Sequence, residues 1–401
     1  MNGYQLLNEA EQLKEEILSH RRFLHQTPET GLSLPATKQY VKEQLTEMGY
    51  QPTECGKSGL VALVGGKHPG KVFLLRADMD ALPIREEADV EFASSNGNMH
   101  ACGHDMHTAM LLGAARILKN HEEEIPGTVK LIFEPGEEVM QGAENMLENG
   151  VLENPKVDAG MMIHVMTGVP IPTGTVIVAP KGVSAPACDN FTIEITGKGG
   201  HGSMPEQTID PINVACHIHL ALQELPAREI AMQEQAILTI GSFHAGTAGN
   251  VIPGSATMSG TIRTMDEGVR ADIKQRLHDI VHHTAQMFRA SATITYTGGC
   301  PTLTNDEAVV TKVHAYLAEL LSPSKALSAD AMDGGSKSSG SEDFAYVSHK
   351  IPTAMLALAA GRPEDGHRYS LHHPRVTFDE AALPTGSAVY AYTAMRWLEE
   401  N

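Results

Sequence analysis

The sequence predicts an α/β protein built on a mostly parallel sheet, with a smaller ferredoxin-like α+β domain inserted into it. Two observations carry this prediction. From residue 1 to 183, apolar strand-like runs alternate with helical periodicity, the pattern of a parallel sheet covered by helices. From 184 to 300 the rhythm becomes strand, helix, strand, strand, helix, strand, which is the order of a split βαβ sandwich. The first rhythm resumes afterwards, so the larger domain is expected to be discontinuous, residues 1–183 and 301–401, around an insert of 184–300.

Each element follows from its pattern. "MNGYQLLNEAEQLKEEILSHRRFLHQ" reads as one amphipathic helix. "KVFLLRADMDALP" reads as a strand running into Asp78 and Asp80, and "TVKLIFEPGEE" as a strand that breaks at Pro135-Gly136 and delivers Glu137 and Glu138. "HTAMLLGAARILKN" has helical spacing, so Cys102-Gly-His104 is expected in the loop entering that helix. "VDAGMMIHV" is a short buried strand ending at His164. In the insert, "NFTIEITG", "AILTIGSF", "ATMSGTIRT" and "SATITYTG" read as strands, and 210–225 and 267–289 as helices. A helix at 305–321, the Gly/Ser-rich loop "DGGSKSSGSEDF", the strand "PTAMLALAA", the segment "SLHHP" and a helix at 380–399 complete the chain.

Composition narrows the function classes. Apolar residues at 42% and charged ones at 20% suit a soluble globular chain of 401 residues. A net charge of −19, with 49 acidic against 30 basic residues, argues against nucleic-acid and anionic-membrane partners, which need a basic face. No apolar run approaches membrane-span length and the N-terminus lacks a signal-like apolar core, so a cytoplasmic location is expected. Cysteines at 55, 102, 188, 216 and 300 are odd in number and scattered, which disfavours a disulfide framework. A thiol beside histidines is then a candidate ligand.

Three expected strand ends carry ligand-type residues, and open α/β sheets bind ligands at that edge. In "MHACGHDMHTAM", Asp105 could simply cap the helix, with His104 and His107 as polar residues of its first turn. Thiolate and imidazole are, however, preferred ligands of zinc and related ions. Glu137-Glu138 offers one carboxylate for a metal and one to take a proton from water; an acidic helix start is the competing explanation. His164 is either a ligand or a satisfied core histidine, and His372 or His373 completes the set. Cys102, His104, Glu138, His164 and one of that pair suffice for two divalent ions a few ångströms apart. Asp78, Asp80 and Asp105 are candidates to accept imidazole N–H bonds. His107 is assigned to the helix surface or to packing, and His100 to no role.

These motifs resemble the family of metal-dependent peptidases and amidohydrolases that contains the aminoacylases. The branch is that of hippurate hydrolases, N-acyl-amino-acid amidohydrolases and indole-acetyl-amino-acid hydrolases. "RRFLHQTPETG", "LLRADMDALP", "MHACGHDMHTAMLLGAA", "FEPGEE" with "GAENM", "GKGGHGSMP", "TIDPI", "NVIPGSATMSGTIRT", "GSEDFA" and "LHHP" carry the resemblance along nearly the whole chain. It implies metal ligands Cys102, His104, Glu138, His164 and His372, with Glu137 as general base. It implies that the insert is a lid and dimerisation domain, and that His201 reaches a partner subunit's site to polarise the scissile carbonyl. Asn250 and Arg263 match positions associated with the carbonyl or the substrate carboxylate. From the residues alone, His201 could equally be a turn residue after Gly199-Gly200.

The chain departs from the branch pattern at Gly136 where alanine is usual, at Val139 where glycine is usual, and in "HVMTGVPIPTG" and "PTAMLALAAG". These changes bear on substrate preference and leave the ligands intact. The activity implied is hydrolysis of N-acyl amino acids by a homodimer using two divalent ions per subunit, zinc or manganese first, with cobalt or nickel as alternatives. A dipeptidase or carboxypeptidase of the same family is the competing activity. A non-catalytic binding protein would be expected to lose Glu137 or ligands, and the chain keeps them all.

Overall fold

The computed structural model describes residues 3–332 and 340–401. These form two compact units, one of residues 3–184, 304–332 and 343–401, the other of residues 185–303 with 340–342. Residues 333–339 of the expected Gly/Ser-rich loop lie outside the described residues.

The first unit is an α/β layer around an eight-stranded sheet. Its order is Thr53–Cys55, Gly59–Gly65, Thr128–Glu134, Val72–Asp78, Ala159–Met166, Thr353–Ala359, Val176–Val178, Ala326–Ser328. Thr128–Glu134, Val72–Asp78, Ala159–Met166 and Thr353–Ala359 run parallel at its centre, whereas Gly59–Gly65 and Val176–Val178 join them antiparallel. Every residue of Val72–Asp78 is buried, as expected of a strand covered on both faces. The helix His104–Asn120 is buried along nearly its whole length and packs against Leu383–Glu400. At their contact a Cβ on Gly386 would collide with Met110, and Ser387 Oγ donates to Met110 O at 2.9 Å. The two helices meet closely because the side chain that would part them is missing.

The N-terminal stretch is two helices rather than one, Gly3–Gln12 and Lys14–Gln26, separated at Leu13. The apolar stripe nevertheless continues across the break, with Leu6, Ala10, Ile17 and Leu24 all buried.

The second unit is a four-stranded antiparallel sheet in the order Ala236–Ala245, Ser255–Thr264, Ala187–Thr196, Ser291–Cys300. With helices Pro211–Leu222 and Glu267–Met287 between strands, this is the βαββαβ arrangement its sequence predicts. Phe191, Ile193 and Ile195 join Val214, Ile218, Ile273 and Leu277 from the two helices in one core, while Asn190 and Glu194 on the other face are exposed. Asp210 and Asp266 cap the two helices by accepting from Ile212 N and Val269 N, each worth ~1 kcal/mol. No helix among the described residues is long and apolar enough to cross a membrane.

Candidate active site

Because Thr128–Glu134, Val72–Asp78 and Ala159–Met166 are parallel neighbours, their C-terminal ends share one edge of the sheet. Arg76, buried near the end of Val72–Asp78, donates to Asp78 Oδ2 at 2.7 Å, to Glu134 at 2.7 and 3.1 Å, and to Asp343 Oδ1 at 3.1 Å. Just beyond, Asp80 accepts the backbone N–H groups of Glu137 and Glu138 at 3.0 and 3.1 Å, one on each carboxylate oxygen. Glu137 and Glu138 therefore open a clamped turn, not the acidic helix start considered above; the helix begins later, at Gly142. Gly136 enters this turn at φ +75, and a Cβ there would lie 2.7 Å from Leu32.

The side chains converge tightly. Cys102 Sγ lies 3.5 Å from His164 Nε2 and 3.3 Å from His372 Nε2, and His372 Nε2 lies 3.5 Å from Glu138 Oε1. His104 Nε2 is 4.0 Å from Glu138 Oε1 and 3.8 Å from Glu137 Oε2. Cys102 belongs to two groups of ligand-type atoms, one with His104 and His164, the other with Glu138 and His372. Of the two candidate histidines, His372 faces this cluster. His373 instead stacks on Tyr369 at 4.2 Å and accepts from Arg375 N at 3.0 Å. His372 adopts φ +66, a conformation uncommon outside glycine, and its N–H is anchored to Ala101 O at 2.9 Å.

These residues fit divalent metal on their own geometry. His104 donates from Nδ1 to Asp80 O at 2.8 Å and His164 from Nδ1 to Val165 O at 2.7 Å, which turns the lone pair of each Nε2 toward the cluster. His104 Nε2 and Glu138 Oε1 are buried and make no hydrogen bond among the described residues. Burial raises the Cys102 thiol and the Glu138 carboxyl and, with the nearby His107 ring, lowers His164 to about 3. A buried dication is the charge that would stabilise thiolate and carboxylate together beside neutral imidazoles.

Other expectations need correction. Gly103 occupies the N-cap position and His104 is already helical, so Asp105 does not cap. Asp105 accepts from Arg21 Nε at 2.9 Å and His25 Nδ1 at 2.8 Å, and so holds the N-terminal helix rather than a ligand imidazole. Asp80 orients His104 through its backbone carbonyl and uses its carboxylate on the Glu137-Glu138 turn. His107 is no surface residue; it is fully buried, bonded to Asp78 Oδ1 at 2.6 Å and to Val165 N at 2.8 Å. Arg76 was missed, although an arginine inside the apolar run "VFLLR" was a visible signal.

His201, Asn250 and Arg263 lie in the second unit. His201 and Val251 are paired across a short ladder, and Gly202 N donates to Asn250 O at 2.9 Å, so His201 and Asn250 are neighbours. His201 is exposed, and its Nδ1 accepts from Ser203 N at 3.1 Å, leaving the ring proton on Nε2. Arg263 donates to Ser341 Oγ at 2.7 Å.

Thiol, imidazole and carboxylate donors that are largely buried, with His372 exposed beside them and a second carboxylate at the sheet's ligand edge, define the class of metal-dependent hydrolases. The chain belongs to the peptidase family M20/M25/M40, whose profile matches residues 74–396. It is similar to the N-acetyl-L-cysteine deacetylase of Bacillus subtilis, 36% identical over 394 residues, spanning 97% of this chain and 90% of that protein. It is also similar to thermostable carboxypeptidase 2 of Saccharolobus solfataricus, 35% identical over 399 residues and spanning 98% of each. Among solved structures, a Bacillus subtilis protein described as a dinuclear metal binding peptidase from the M20 family matches with a TM-score of 0.78 at 32% identity. That match covers 97% of this chain and 99% of the other. The family expected from the motifs is the family found, and it makes the chain a hydrolase of amide bonds.

Proposed function

We propose that the protein hydrolyses the amide bond of N-acyl amino acids, with Cys102, His104, Glu138, His164 and His372 holding two divalent ions and Glu137 acting as general base. The observation that carries this reading is the split pair: Asp80 clamps both backbone N–H groups of the turn, while Glu138 approaches His372 and Glu137 remains beside His104. Two adjacent carboxylates can thus divide the tasks of ligand and base. Bound divalent ions supply Lewis acidity, lowering the pKa of water and polarising a carbonyl. Glu137 takes the proton of the attacking water and returns it to the leaving amine. The resemblance to the Bacillus deacetylase supports an N-acyl substrate.

The second unit is read as a lid and dimerisation domain of a homodimer. His201, with its Nε2–H exposed for donation, stabilises the oxyanion in the partner's site, a contribution of ~10²–10³ in turnover. Arg263 holds the substrate carboxylate by a forked contact and Asn250 the carbonyl. Mixed sulfur, nitrogen and oxygen donors favour zinc or manganese, with cobalt or nickel as functional substitutes. The odd number and scatter of the cysteines support a reducing, cytoplasmic setting.

The similarity to a carboxypeptidase favours a second reading, cleavage of unblocked peptides. A panel of N-acyl amino acids and free-amine dipeptides, run on protein of measured metal content, separates the two. Preferential turnover of the acylated substrates is expected, and preference for the dipeptides overturns the first reading. Normal turnover by Glu137→Ala, or by metal-free protein, overturns the mechanism. Sedimentation of a fully active monomer overturns the shared role of His201.

A further inference from the structure

Val72–Asp78 pairs with Ala159–Met166 only as far as Arg76 opposite Met162. On its other side Ala159–Met166 stays paired with Thr353–Ala359 to the end, Ala359 opposite Met166. Residues 163–166, which include His164, therefore run on with one neighbouring strand instead of two. Backbone N–H groups left there would lack acceptors in a buried setting, a cost that folded chains avoid.

Two side chains occupy the place of the missing strand. Tyr390 Oη accepts the Ile163 N–H at 3.1 Å, and His107 Nε2 accepts the Val165 N–H at 2.8 Å. Alternate residues of a strand present their N–H groups to the same neighbour, so these two acceptors continue one edge. Both are tied back to the strand they replace. The Tyr390 hydroxyl donates to Arg76 O at 2.7 Å, and His107 Nδ1 donates to Asp78 Oδ1 at 2.6 Å. Asp78 is braced in turn by Arg76 Nη1 at 2.7 Å.

We propose that His107 and Tyr390 form a side-chain ladder that extends the strand pairing past Met162, and that His107 is the positioning residue of His164. The second half rests on the reading of His164 as a metal ligand; the ladder itself does not. Because Nε2 accepts from a backbone N–H, the His107 proton sits on Nδ1 and is given to Asp78. Both nitrogens are engaged, so His107 is not itself a ligand, even though its ring lies 5.4 Å from that of His104 and 4.7 Å from that of His164.

The ladder is tested on metal-free protein and its consequence on metal binding. Hydrogen exchange resolved over 160–166 is expected to show Ile163 and Val165 protected, and ¹⁵N NMR to place the His107 proton on Nδ1. His107→Leu is expected to release Val165 and weaken metal binding, read by chelator competition, about 10–100-fold. Its kcat should fall with KM little changed. His107→Gln, whose amide can accept from Val165 and donate to Asp78, should recover part of each loss. Unchanged Val165 exchange in His107→Leu, or a wild-type proton on Nε2, overturns the ladder. Lost protection with unchanged metal affinity overturns the positioning of a ligand and leaves the ladder standing. If His107→Leu does not fold, Tyr390→Phe serves: faster exchange at Ile163 supports the ladder and unchanged exchange overturns it.

Discussion

One carboxylate oxygen of Asp80 receives the backbone N–H of Glu137 at 3.0 Å, so the position of the proposed base is set by a residue just past the end of Val72–Asp78. An asparagine there would keep the size and offer one acceptor in place of two. Asp80→Asn is expected to lower kcat by ~10², the scale on which ångström misplacements act, with folding retained. Steady-state kinetics together with circular dichroism check this. Unaltered kcat would mean that the turn holds itself.

Gly136 meets two demands at once, a left-handed φ and the closeness of Leu32. Gly136→Ala should destabilise the protein by ~1–3 kcal/mol, through backbone strain and crowding. Urea denaturation measures the loss. Gly136→Ala combined with Leu32→Ala should recover only the crowding share, because φ stays positive.

Lys130 is buried inside Thr128–Glu134, and its Nζ donates to the carbonyls of Val151, Glu153 and Pro155 at 3.0, 2.8 and 2.9 Å. Lys130→Met would leave all three acceptors without their donor. A loss of ~2–5 kcal/mol is expected, since each abandoned buried acceptor costs ~1–3 kcal/mol and part is recovered from water. A denaturation midpoint within error of the wild type would contradict it.

Glu380 accepts from Arg21 at 2.9 Å and from Arg22 at 2.6 and 3.1 Å. Burial pushes its carboxyl up, but the Arg22 hydrogen bond and the Arg21 charge hold it below the ordinary carboxylate value. A folded value depressed in this way contributes stability above the unfolded pKa of ~4.3, and that stability is lost as pH falls through the folded value. Glu380→Gln should therefore be less stable than the wild type at pH 7, with the gap narrowing as pH falls below about 4.3. Denaturation curves stepped from pH 7 down past the unfolded value follow it, and a gap that stays constant below that value would rule it out.

Metal removal should act on stability as well as turnover, because ions bound only by the folded chain add RT ln(1 + [L]/Kd) to its stability. Dialysis against a chelator is expected to lower Tm and abolish hydrolysis, with both restored by re-addition. An unchanged Tm would show that the five proposed ligands hold nothing strongly.

Much of the candidate site was legible because its residues are chemically conspicuous, and Glu137, Glu138 and His164 stand at or just past the ends of predicted strands. Cys102, the Glu137-Glu138 pair and His164 stand out by type alone. His107 did not, since its partners Asp78 and Val165 come from two other strands and meet it only when the sheet forms. Asp105 was misread for the same reason: its partners Arg21 and His25 are invisible to helix-start patterns. The α/β class followed from periodicity. The strand order, with Thr128–Glu134 set between Gly59–Gly65 and Val72–Asp78, follows from long-range packing that periodicity does not encode.

The contact between Cys102 and His372 spans 270 residues of chain. A ribosome adding ~5–20 residues per second takes roughly 15–50 s to travel from one to the other. From His164 onward the nascent polypeptide carries a thiol, two imidazoles and a carboxylate whose last proposed companion has yet to be synthesised. On the proposed ligand set, competence for catalysis is therefore a late event in the protein's birth, and a chain released early leaves that set of donors incomplete.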